Sequence, residues 1–501
     1  MTKNTNQHPH LKKTLKRSIL VFTAISLSAC STLHNTDKPL DIIAAYSLFA
    51  PASDGSTLLY ARAVLDGVGT HCPVLSGSNQ SVVKMSPRGL RPDADNFPVT
   101  VCEAIISPGI SYQIANTFKL AAAKLAPKSV LVYGDSGCEA GVCDDGAEAS
   151  PFAQLAKEGT GSNAQLILHM GDFNYRGTSG ALQDKPTEIY AYDAGDGGYD
   201  GPICGYVDNN YYSQNARDSS RPDQWQYWYE DFFLPAKALL PTAPWVFSRG
   251  NHELCSRAGI GWFYFFGPGS SISGGIAQMA CPEQGTIAMP ANNAVNSISM
   301  VQPYKVSLQP VDLWVMDSAN ACDASADNPL TAQYSLQFDQ LMQMQGSATK
   351  PVWMVTHRPI WGASVDTSGS TPSISAMNVM LQTALKQSKS SGFPAAVQLT
   401  LSGHMHLYQD VSFPDRTRPP QIVVGNSGVS LEQSATGDYQ ASIDGEPALI
   451  NQLDSFGYLL MSLQSDGSWQ GSILNGADQV LVSCDSSNVA AGKALCRNQS
   501  Q

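Results

Sequence analysis

The sequence predicts an α/β protein preceded by a small N-terminal β-rich domain. Three observations predict it. From Ser129 onward, apolar runs of strand length alternate with longer segments of helical period. Before that point the chain carries only short Val- and Leu-rich runs separated by Gly, Ser, Pro and Asp, the pattern of strands and turns. The composition, 43% hydrophobic and 14% charged over 501 residues, is that of a globular chain able to bury a large core.

The chain divides in order as follows. Positions 1–29 have the grammar of a signal peptide: Lys12, Lys13, Lys16 and Arg17 precede an apolar run at 19–29 that is too short to span a bilayer. That run ends in Leu27-Ser28-Ala29-Cys30, which resembles the lipobox of bacterial lipoproteins. The resemblance implies cleavage before Cys30, lipidation of its thiol and a membrane anchor. Ser31, in place of Asp, points within that family to the outer membrane. The alternative is an ordinary signal peptide cut near Ala29; either way the expected location is the cell envelope or beyond. Residues 30–40 are polar and contain Pro39, as suits a short tether.

Residues 41–127 are expected to form the N-terminal β-rich domain, with strands near 57–64, 81–85 and 97–106. Residues 128–480 follow as the principal domain. Its predicted strands are 130–133, 165–170, 245–247, 311–316, 352–355, 397–401 and 421–424, and its predicted helices are 151–158, 224–240, 330–345 and 374–388. Segments 458–463 and 468–474, joined by Gln464-Ser465-Asp466-Gly467, read as a late hairpin. In 224–240 the residues Trp225, Trp228, Phe232 and Leu239 share one face and read as core. The segment 184–221, rich in Gly, Asp, Tyr and Asn, has neither period and reads as a long loop. Residues 481–501 read as a C-terminal tail.

Charge and cysteines narrow the function. The formal net charge is -12, and positions 1–29 hold five basic and no acidic residues, so the remainder is more acidic still. Such a surface repels polyanions, and no Lys/Arg cluster argues for nucleic acid. Setting Cys30 aside leaves ten cysteines, an even set that suggests disulfides in an oxidising compartment. Their connectivity is not given by sequence. Cys72 with Cys102, Cys138 with Cys143 and Cys484 with Cys496 are the near-neighbour pairs.

The chemistry lies where the strands end. The first strand of the principal domain runs into Gly134-Asp135-Ser136-Gly137, the second into Gly171-Asp172-Phe173-Asn174-Tyr175, and the third into Gly250-Asn251-His252-Glu253. Two later strands run into Thr356-His357 and Gly403-His404-Met405-His406. In open α/β sheets such loops share one edge, where ligands bind. Four of the six histidines beyond position 40 lie in these loops. Carboxylate, phenol, amide oxygen and imidazole, without thiolate, suit Fe(III), Mn(II) or Zn(II). Two such ions, bridged by a shared carboxylate, clamp the attacking and leaving oxygens of an in-line phosphoryl displacement.

In order, these strings resemble the motifs of the calcineurin-like metallophosphoesterases, and within them the purple acid phosphatases: DxG, GDxxY, GNH with Asp or Glu, VxxH and GHxH. Met354 stands where the fourth pattern has Val, a strand position and not a ligand. The resemblance covers roughly 129–424. It implies the sandwich fold of that family and a first metal, Fe(III), held by Asp135, Tyr175 and His406. It further implies Asp172 as the bridge and a second metal, Fe, Zn or Mn, held by Asn251, His357 and His404. It makes His252 an outer-sphere group that protonates the leaving oxygen. Arg176, Arg249 and Arg358 flank ligands and are candidate contacts for substrate phosphate, with structural ion pairing as the alternative. The implied activity is hydrolysis of phosphate monoesters on small molecules by metal-bound hydroxide. A phosphodiesterase or nucleotidase on the same metals, and a surface binding lipoprotein with incidental turnover, are the alternatives.

Overall fold

Ten consecutive residues of Ile42–Pro51 (β1) are buried almost throughout, so both edges and both faces of that strand need partners inside the molecule. The computed structural model supplies them. It describes residues 41–499 apart from 116, 139–142, 144–145, 176–222, 256, 282–298, 324–325, 327–328, 346–349 and 433–434. In chain order the strands of its two large sheets begin with Thr57–Asp66 (β2), Ser86–Pro87 (β3), Val99–Ile105 (β4), Ser129–Tyr133 (β5), Leu166–His169 (β6) and Pro244–Phe247 (β7). There follow Tyr304–Ser307 (β8), Asp312–Val315 (β9), Val352–Val355 (β10), Val397–Ser402 (β11), Tyr408–Ser412 (β12), Gln421–Val424 (β13), Gly437–Ile443 (β14) and Glu446–Leu453 (β15). Tyr458–Leu463 (β16), Trp469–Leu474 (β17), Val480–Asp485 (β18) and Cys496–Asn498 (β19) complete the set.

The first sheet has eleven strands in the order β19-β18-β17-β16-β5-β6-β7-β1-β2-β4-β3; the second has eight, β8-β9-β10-β11-β13-β12-β15-β14. At the centre of the first, β5, β6 and β7 run parallel; at the centre of the second, β9, β10, β11 and β13 do. The two sheets face each other. Trp353 and Val355 of β10 and Leu399 and Leu401 of β11 share one apolar cluster with Val130, Val132, Leu459 and Met461 of the first sheet. Alternate residues of β10, Val352 and Met354, point the other way and meet the helices Pro329–Gln345 and Val379–Gln387 through Leu330, Tyr334, Phe338, Met380 and Leu381. On the far side of the first sheet, helix Pro151–Gly161 begins at Ser150, whose hydroxyl accepts from the Ala153 N–H, with Pro151 at its first position. The fold is thus the expected mixed α/β sandwich flanked by helices.

Four expectations are corrected. The stretch 41–127 is not a separate β domain: β1 pairs in parallel with β7, Leu48 opposite Trp245, and β2 and β4 continue the same sheet. Only the short strands Val74–Gly77, Val82–Lys84, Tyr112–Ile114 and Phe118–Leu120 form a small sheet of their own. The C-terminal residues are not a tail either, because β18 and β19 extend the first sheet and Cys484–Cys496 joins them. The expected helix 224–240 is one α-turn, Trp225–Trp228, running into a π-turn, Tyr229–Phe233, and then hydrogen-bonded turns. Its Trp225, Trp228, Phe232 and Leu239 are nonetheless core residues. Within 374–388 the first residues form a strand, Ser373–Ala376, paired with Ala363–Asp366, and the helix starts only after Asn378.

The three near-neighbour cysteine pairs are bonded, and a fourth disulfide joins Cys255 to Cys281. Cys322 is disulfide-bonded as well. The segment 184–221, expected as a long loop, the expected signal peptide and Cys30 lie outside the described residues, among which no helix is long and apolar enough to cross a membrane.

Candidate metal centre

Parallel strands deliver their C-terminal ends to the same side, and that alone gathers the predicted residues. The loops after β5, β6 and β7 carry Asp135, Asp172 with Tyr175, and Asn251 with His252; those after β10 and β11 carry His357, His404 and His406. The turns are tight enough to force three site residues into left-handed backbone: Asp135 at φ 54°, Asp172 at 59° and His404 at 77°. Non-glycine residues hold that conformation at a cost of order 1–3 kcal/mol each, and they concentrate at functional sites. Gly171, at φ 107°, lets the chain turn just before Asp172. Gly250 is fixed by space: a Cβ there would lie 1.9 Å from Asp172 Oδ1.

Backbone bonds stitch these loops to one another. Asp135 N–H donates to Gly171 O at 2.9 Å, His404 N–H to Asp135 Oδ2 at 2.8 Å, and His252 N–H to Asp172 Oδ1 at 2.9 Å. Glu253, fully buried, accepts from the N–H groups of Asp172, Phe173 and Gly250 at 2.8–2.9 Å. His169 bridges two loops: its Nδ1 accepts from Gly171 N–H, so Nε2–H donates to Ser136 Oγ at 2.8 Å. Burial holds His169 well below the ordinary imidazole range, which keeps it neutral and suited to this double role.

The side chains converge in two sets. In the first, Tyr175 OH lies 3.2 Å from each of Asp135 Oδ1, Asp172 Oδ2 and His406 Nε2. In the second, Asn251 Oδ1 lies 2.9 Å from both His357 Nε2 and His404 Nδ1, and His357 Nε2 lies 3.3 Å from Asp172 Oδ2. The donors of Asp172, His357 and His404 all fall within 4.8 Å of one another. Asp172 Oδ2 therefore belongs to both sets. Asp135, Asp172, Asn251 and His357 are buried to 2% exposure or less, whereas His406 is partly open to solvent.

This geometry fits cations. His357 Nδ1 sits 2.8 Å from Met170 O, which only accepts, so the ring proton is there and the Nε2 lone pair faces two oxygens. A proton or a metal ion between them is what makes such an approach favourable. Among the described residues, Asp135 and Asp172 have ion pairs only with histidines. Burial and the neighbouring Asp172 push Asp135 well above the usual carboxylate range. For Asp172 burial pushes the same way, but His357 and His252 outweigh it and hold the group well below that range. Burial, then Asp172 and Asp135, also raise Tyr175 well above an ordinary phenol. Asp135, Asp172 and Tyr175 thus set oxygen donors side by side in a buried pocket, a donor set whose chemistry fits a cation.

The remaining predicted residues divide. His252 stands at the site, its ring centroid 4.0 Å from that of Tyr175. Arg249 and Arg358 are corrected as substrate contacts, because both are buried in ion pairs. Arg249 bonds Asp317, Ser299 O and Glu253 O; Arg358 bonds Asp323 and approaches His404. Arg176 lies outside the described residues. Two residues were not foreseen: Glu253, legible only as the last letter of Gly250-Asn251-His252-Glu253, and Asp323, on the loop beyond β9.

No family model matches the chain, and no curated protein sequence does. Among solved structures it is similar to a purple acid phosphatase isolated from yellow lupin (Lupinus luteus) seeds, with 14% identity over 87% of this chain and 73% of that one, and a TM-score of 0.47. At that identity and score the likeness bears on neither activity nor substrate.

Proposed function

We propose that the chain is a metal-dependent phosphoesterase hydrolysing phosphate monoesters of small molecules at a dinuclear centre. The observation that carries this reading is the sharing of Asp172 Oδ2 between two converging donor sets, one around Tyr175 OH and one around Asn251 Oδ1. Asp135, Tyr175, His406 and Asp172 would hold Fe(III); Asp172, Asn251, His357 and His404 would hold Fe, Zn or Mn. When bound, the pair supplies Lewis acidity to the phosphoryl oxygens and an activated water.

The chain's own residues supply the rest. Glu253 fixes the Asp172 loop by taking three backbone N–H groups, so the shared oxygen stays in place without help from substrate. His252, partly exposed and with its ring tilted 39° against that of Tyr175, would give a proton to the departing alkoxide. The covalent tie Cys138–Cys143 follows directly on the Asp135 turn and limits its play. The protein would act outside the cytoplasm, anchored through Cys30; its bonded cysteines support an oxidising compartment. A Cys30→Ser variant is then expected in the soluble and not the membrane fraction.

The test is hydrolysis of a chromogenic phosphate monoester and its diester analogue, with metal analysis of the same sample. Monoester turnover with about two metals per chain is the expected result. Preferential diester turnover would replace the monoester assignment, and neither turnover nor metal in oxidised, metal-supplemented protein would end the enzyme reading.

A further inference from the structure

A second layer stands behind His404. Its Nδ1 faces Asn251, while Nε2 lies 3.0 Å from Asp323 Oδ2 and 2.6 Å from Arg358 Nη1. Asp323 and Arg358 are paired at 2.7 Å, and neither side chain has any exposure. The two groups make opposite demands on one nitrogen. Asp323 accepts, which requires the proton on Nε2 and leaves the lone pair on Nδ1. Arg358 donates, which requires the lone pair on Nε2 and sends the proton to Nδ1. Only the first tautomer can bind a cation at Nδ1.

Resting on the dinuclear reading above, we propose that Asp323 is a positioning residue. It takes the Nε2–H of His404 and turns the Nδ1 lone pair toward the Asn251–His357 metal position. A carboxylate behind a ligating histidine fixes ring orientation and raises its basicity, and losing such a partner typically costs about 10- to 100-fold in metal affinity. Arg358 competes for the same nitrogen and adds a positive charge beside the ion, so the two partners have contrary effects on binding. A plain structural ion pair has no such asymmetry.

The experiment is Zn(II) titration of metal-stripped full-length protein by calorimetry, with circular dichroism to verify folding. The wild type is expected to take two ions. D323N is expected to keep the first and bind the second about 10- to 100-fold more weakly. R358Q is expected to bind both at least as tightly as the wild type. Unchanged Zn(II) binding by D323N, or equal losses in D323N and R358Q, would overturn the proposal while leaving the dinuclear reading intact; no Zn(II) binding by the wild type would overturn both. Should either variant fail to fold, nitrogen-15 spectra of histidine-labelled wild-type protein, assigned with His404→Gln, decide the matter. A protonated Nε2 on His404 supports the proposal, and a protonated Nδ1 overturns it.

Discussion

Asp172 is the residue on which the site turns. Its Oδ2 faces Tyr175 and His357, its Oδ1 accepts from the His252 N–H, and its own N–H is tied to Glu253. Gly250 packs against it so closely that Gly250→Ala should displace the shared carboxylate. We expect that variant to retain its fold yet lose bound metal, measured by elemental analysis after dialysis against a chelator. His357→Ala removes one donor from the second set alone, so metal content should fall from about two ions per chain to about one, with the Tyr175 set still occupied. The residues of the two sets were legible in the sequence because each sits in a short string at a strand end, most of them beside a glycine, information carried by neighbouring residues. Asp323 was not legible, since it meets His404 across 81 positions. For Arg249 and Arg358 the sequence left substrate contact and structural ion pairing both open, because adjacency along the chain says nothing of Asp317 and Asp323, with which they pair.

At the level of elements, the turn after β7 is organised by one carboxylate. Burial, with Asp172 next, raises Glu253 to about 8, while three backbone donors pull it down. Glu253→Ala leaves three buried N–H groups without their acceptor. At about 1–3 kcal/mol for each unsatisfied group, the melting temperature should drop by many degrees, with Glu253→Gln milder because its amide oxygen still accepts. Thermal melts of the two variants and the parent check the order. The parallel strands β5, β6, β7, β9, β10, β11 and β13 were each read within a residue or two, since buried parallel strands are plain apolar runs, whereas antiparallel strands such as β8, β12, β14 and β15 were not read. Strand β1 was missed because its alanines and serine blur any alternation. The Trp225 segment was read as one regular helix because its apolar face has helical spacing, yet a π-turn interrupts it.

Across the whole molecule, the half of the first sheet distant from the site has its own charged core. Glu103 bonds Arg62 and Arg88 and accepts from Ser270, all buried. Burial pushes Glu103 up, but the two arginines outweigh it and hold it below its ordinary 4.5. A depressed carboxylate contributes stability that is complete above the unfolded value and is lost as pH falls through the folded one. Melts from pH 7 to pH 3 should therefore show a steep loss below about 4.5 in the parent. Glu103→Gln should flatten that limb while lowering stability at pH 7 by about 3–5 kcal/mol, the cost of leaving buried cations unpaired.

The arrangement of the first sheet also sets an order of events. Strand β5, which delivers Asp135, has β6 on one side and β16 on the other, Leu459 opposite Val132. Its second neighbour is made more than three hundred residues after it. A nascent chain stopped short of β16 has every motif of the centre and an open edge beside the strand that begins it. Folding of this sheet is consequently bound to the end of synthesis, with the slow, long-range closure that such topology imposes.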